Sequence, residues 1–67
     1  MYIVANTEDG DTLFWSYTHW TEDFSDAESF GLMSGHFKIG ELEVDYIDDS
    51  DNYNYHGSRI TSIRALE

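Results

Sequence analysis

The chain carries 67 residues, of which fourteen are Asp or Glu and three are Lys or Arg, for a formal net charge of −11. This length limits it to one domain, the lack of cysteine excludes disulfide staples and thiolate metal sites, and no apolar run reaches the ~18 residues of a membrane span. Charge of one sign on so small a body repels itself and excludes anionic partners such as free nucleic acid or anionic lipid. The aromatic content of 16% and hydrophobic content of 40% argue for an ordered fold rather than an acidic disordered tail.

In chain order, Tyr2-Ile3-Val4-Ala5-Asn6 reads as a strand rich in β-formers. Glu8-Asp9-Gly10-Asp11 follows as a hairpin turn, because Asp-Gly supplies the positive φ that such turns need. Thr12 to Tyr17 returns as the second strand, and alternation sets Leu13, Trp15 and Tyr17 on one face and Phe14 on the other. Trp20 to Gly31 predicts a short helix. Ser25 and Glu28 have capping-box spacing, Thr21 is an alternative N-cap, Phe24, Ala27 and Phe30 form the apolar stripe, and Gly31 is the stop.

Gly31, Gly35 and Gly40 punctuate the middle too often for a long helix, so His36–Ile39 reads as a strand with Gly40 at a bend. Glu41 to Ile47 alternates as the next strand, with Leu42, Val44 and Tyr46 inward and Glu41, Glu43 and Asp45 outward. Asp48 to Gly57 is a polar loop containing Tyr53 and Tyr55. Arg59 to Ala65 closes the chain as a strand, although Ile60 and Ile63 at three-residue spacing also admit a helix. The expected class is α+β: a small antiparallel sheet, roughly β-β-α-β-β-β, with one short helix packed on it.

Candidate functional residues are carboxylates. Glu41, Glu43 and Asp45, two apart on a strand face, would stand about 6.6 Å from one another, comparable to the step between DNA phosphates. Outward acids on a half-buried strand also have the plain reading of solvation. Asp48, Asp49 and Asp51 prolong this tract into the loop, with Tyr53 and Tyr55 as aromatic anchors. Glu8, Asp9 and Asp11 form a second group at the hairpin tip, explained locally by turn chemistry. Glu22, Asp23, Asp26 and Glu28 form a third around the predicted helix start, explained by the helix dipole. A calcium loop fails in detail: with Asp49 and Asp51 as the first ligands, Asn54 falls on the required glycine and Ile60 on the bidentate Glu. His19, His36 and His56 lack the spacing of a zinc site. No nucleophile motif surrounds any Ser, so neither enzymatic catalysis nor a cofactor is expected.

The whole chain, tiny, cysteine-free, acidic and aromatic-rich, resembles small phage-encoded inhibitors that mimic DNA, the anti-CRISPR and anti-restriction proteins. The hairpin followed by Trp20-Thr21-Glu22-Asp23-Phe24-Ser25-Asp26-Ala27 is similar to uncharacterised phage proteins. The resemblance points most specifically to inhibitors of type I surveillance complexes, the I-C type among them, and transfers no site residue. It implies a monomer in the bacterial host cytoplasm whose carboxylates compete with DNA for the Lys and Arg of a basic nucleic-acid-binding protein. A CRISPR effector is the first such target and a restriction enzyme the second. Two rival expectations are an acidic regulator of a polymerase or nuclease that does not mimic DNA, and a domain adapted to high salt.

Overall fold

The structure is a computed structural model that describes residues 1–67. The hairpin forms as the Asp-Gly signal requires. Strand β1 (Tyr2–Thr7) pairs antiparallel with β2 (Thr12–Trp15), with Val4 opposite Phe14 and Asn6 opposite Thr12. Gly10 closes the turn at φ 91°, in the left-handed region that glycine enters without strain. Strand β2 ends at Trp15, short of the expected Tyr17. Tyr17 has φ 93° and is exposed at the tip of a tight turn into β3 (Trp20–Thr21), where the Ser16 hydroxyl donates to the His19 carbonyl.

The remaining strands come from the end of the chain. β4 (Asn54–Tyr55) turns through His56 and Gly57, both at positive φ, into β5 (Ser58–Leu66). β5 runs antiparallel along β1, giving one five-stranded sheet in the order β3-β2-β1-β5-β4. The register shifts between Asn6 and Thr7, so that Ala5 faces Ile63 while Thr7 faces Ile60. This irregularity resolves the three-residue spacing of Ile60 and Ile63. A regular strand would place them on opposite faces, whereas one extra residue turns both toward the same core.

The α+β class, with five antiparallel strands in one sheet and one helix, is as the sequence predicts; the helix stands elsewhere. Trp20–Gly31 forms no α-helix. It holds β3 and a 3-10 turn at Phe24–Asp26, capped by Asp23 rather than Ser25 or Thr21. Phe24 and Phe30 do not share a stripe: Phe24 packs edge-on against Tyr2 and Phe14, and Phe30 packs against the core on the helix side. The two expected strands His36–Ile39 and Glu41–Ile47 are instead one helix, α1 (Leu32–Asp48), followed by a 3-10 turn at Ser50–Asn52. Gly40 lies inside α1 and makes no bend.

The face of α1 that carries Gly35, Ile39, Leu42 and Tyr46 lies on the sheet. Ile39 and Leu42 pack on Ile3, with Met1, Trp15, Trp20 and Phe30 around them. Beside this cluster, Ala5, Leu13 and Ile60 are fully buried beneath Tyr46, Tyr53 and Tyr55. Val44, expected inward with Leu42 and Tyr46, faces solvent. Helical periodicity keeps residues four apart together and sends residue 44 round the cylinder. At Gly35 a Cβ would lie 2.6 Å from the Met1 sulfur, so the missing side chain makes room for Met1. No helix is long and apolar enough to cross a membrane.

Candidate functional site

Because residues 41–48 are helical, the acidic tract has a different geometry from a strand-face row. Glu41, Asp45 and Asp48 are spaced i, i+4, i+7 and follow one flank of α1, rising about 6 Å and then about 4.5 Å. Glu43 falls on the opposite flank. The regular row of three strand carboxylates is therefore absent. Lys38 Nζ lies 3.3 Å from Glu41 Oε2, the molecule's single salt bridge, and 5.8 Å from the Trp15 ring centroid.

The C-terminal end of α1 is electrostatically costly. Its first turn holds no acid and its last turn no base, while Asp45, Asp48 and Asp49 gather where the helix dipole is already negative. Each acid so placed is unfavourable by about 0.3–1 kcal/mol. Partial relief comes from the loop. The Tyr53 hydroxyl donates to Asp45 Oδ2 at 3.4 Å, and the Asn52 amide donates to Asp49. Burial raises the Tyr53 phenol above its ordinary value, and the negative charge of Asp45, its hydrogen bond and Asp49 raise it further.

The hairpin tip meets this end of the molecule. Glu8 N–H donates to the Arg59 carbonyl at 2.9 Å, and Arg59 N–H donates to Glu8 Oε1 at 3.3 Å. Asp9 N–H donates to the Ser58 hydroxyl, and Thr7 donates its hydroxyl to Asp11. Glu8 and Asp51, far apart in sequence, line one shallow depression with Tyr53, Asn54 and Arg59. The hairpin tip, through Glu8, and the 3-10 turn after α1, through Asp51, thus meet in one acidic pole with Arg59 between them, and Asp45, bonded to Tyr53 of the same depression, borders it.

Glu22, Asp23 and Asp26 do not join it. Their 3-10 turn packs through Phe24 on Tyr2, at the opposite end of β1 from the hairpin tip. The six-residue strand between spans about 17–20 Å. Asp23 is held below the usual carboxylate range by the Ser25 hydroxyl and then by the Ser25 N–H, both donating to it. Tyr53 and Tyr55 are half-buried over the core, with Tyr53 edge-on to Tyr46 at 5.5 Å. No three carboxylates or imidazoles come close enough together to hold a metal ion.

One surface escaped the sequence reading. Met33, Phe37, Val44 and Ile47 line the solvent side of α1 and are all exposed. Their helical spacing, interrupted only by Gly40, was the available signal. Comparison of the chain with protein-family models, with curated proteins and with solved structures finds no match.

Proposed function

We propose that the protein is an inhibitor that occupies the basic nucleic-acid-binding surface of a bacterial complex in place of DNA. A CRISPR effector of type I is the favoured target and a restriction enzyme the second. One observation carries this reading. Two chain-distant segments, the hairpin tip and the 3-10 turn after α1, bring Glu8 and Asp51 into one depression, and the end of α1 that leads into that turn holds Asp45, Asp48 and Asp49 against the helix dipole with no base in its last turn. Local stability does not account for acids at that end, and violations of a local rule concentrate where function requires them. Carboxylates form short, charge-assisted and often bidentate bonds with Arg. A cluster of them can therefore exchange with phosphates for the same cations, and the affinity should weaken with salt as counterions compete.

The test is charge reversal at the pole. Replacing Asp48, Asp49 and Asp51 together by Lys should abolish inhibition of DNA binding by a purified type I-C effector. Asp48→Lys and Asp49→Lys relieve the C-terminus of α1, whereas the Asn52 bond to Asp49 is lost, so circular dichroism of the variant must show the native fold before loss of inhibition is read as loss of contact. Full inhibition by the triple variant would sink the assignment.

A further inference from the structure

The solvent face of α1 is used neither by the fold nor by the acidic pole. Met33, Phe37, Val44 and Ile47 are 87%, 71%, 59% and 78% exposed. With Gly40 among them they are spaced 4-3-4-3, which holds all five positions within roughly 40° of one direction over about 21 Å of helix. This is the spacing of a coiled-coil seam, and it points away from the face packed on the sheet. A Cβ at Gly40 would meet nothing within 4 Å, so no contact within the chain requires glycine there. Glycine is disfavoured in an exposed helix interior. What it supplies at mid-seam is a notch that lets a second helix approach to the near end of the usual interaxial range, about 8–10 Å.

We propose that a second copy of the chain covers this face, its α1 antiparallel to the first, with the two-fold axis passing at Gly40. The spacing is nearly palindromic about that residue, so Phe37 meets the partner's Val44 and Met33 meets the partner's Ile47. The charge along α1 suits this direction. Glu41, Glu43, Asp45 and Asp48 all follow Gly40, whereas the preceding half has no acid and carries His36 and Lys38. Antiparallel pairing sets the partner's Glu43 beside His36. It also sets the partner's Asp48 near the first turn, whose dipole is positive and whose cap, Gly31, offers no side-chain bond. Glu41 alone would meet its own copy, and its carboxylate is already bound to Lys38. Parallel pairing would stack all four acids against their equivalents. The two-fold contact is self-complementary and closes on itself, so it makes a dimer and not a filament. It leaves Glu8, Asp49 and Asp51 free, one pole at each end of the paired helices.

Sedimentation equilibrium of the full chain at about 0.15 M salt, from low micromolar to millimolar concentration, tests the proposal. The expected result is a monomer–dimer equilibrium. Phe37→Glu should weaken the dimer by at least about tenfold, with the fold retained by circular dichroism because residue 37 is exposed. His36→Glu should also weaken it, and adding Glu43→Lys should restore it, as only the antiparallel register places these residues opposite each other. A native chain that stays monomeric throughout, a dimer indifferent to Phe37→Glu, or a double variant that fails to recover would overturn the proposal. Asp48 belongs to both surfaces, and Phe37→Glu separates them because it leaves every carboxylate in place.

Discussion

Gly40→Ala sets helix and strand readings of the central segment against each other. In α1 the added methyl group meets nothing within 4 Å, so its effect reduces to helix propensity, about 0.8–1.0 kcal/mol in favour of Ala. For a domain of this size, that raises the melting temperature by roughly 4–8 °C. Gly35→Ala provides the internal contrast. Its methyl would lie 2.6 Å from the Met1 sulfur and 2.9 Å from Met1 Cγ, so Met1 must move off the Ile3–Ile39–Leu42 cluster, and the propensity gain is offset. Both variants should be melted by circular dichroism at concentrations where the chain is monomeric, with urea titration as a second measure. Were Gly40 a bend between two strands, Ala would destabilise. A fall in stability for Gly40→Ala would therefore refute the assignment of α1 and everything built on its faces. At the proposed two-fold axis the same methyl group pushes the paired helices apart, so self-association should weaken while the monomer becomes more stable.

Ile60 is fully buried among Ala5, Leu13, Tyr46 and Tyr53. Ile60→Ala should cost about 2–5 kcal/mol, a large share of the roughly 3–10 kcal/mol available to a chain of this length, and denaturant titration should find it partly unfolded without denaturant. The raised Tyr53 phenol links stability to alkaline pH. Its folded value lies above the unfolded one, near 10, so its contribution is complete below that value and is lost as pH rises through the folded value. Tyr53→Phe should remove this alkaline loss from a pH series of urea titrations. With a net charge of −11, self-repulsion falls as salt is added, so the melting temperature should rise between low and physiological ionic strength. A chain adapted to high salt would instead be largely unfolded at physiological ionic strength.

The hairpin and the last strand were legible because each rests on local chemistry: Asp9-Gly10 for the turn, β-branched residues for β5. The central helix was not legible, for a definite reason. It carries two apolar stripes on opposite sides, Gly35–Ile39–Leu42–Tyr46 and Met33–Phe37–Gly40–Val44–Ile47. Superimposed in sequence, two opposed stripes make Leu42, Val44 and Tyr46 alternate with acids as a half-buried strand would. The two glycines completed the impression of breaks, although Gly35 accommodates Met1 and Gly40 lies in open solvent. The acidic tract was visible in composition, but the depression that Asp51 shares with Glu8 is a tertiary contact, reached because Ser58 and Arg59 hydrogen-bond Asp9 and Glu8 some fifty residues away. No local pattern encodes that contact.

The proposed competition with DNA at a basic surface is tested most directly by the equilibrium affinity of the protein for a purified type I-C effector complex, measured with and without saturating target duplex. Competition predicts that duplex abolishes binding and that affinity for the free complex falls steeply as salt rises. Undiminished affinity for the duplex-loaded complex, or affinity indifferent to salt, would contradict it.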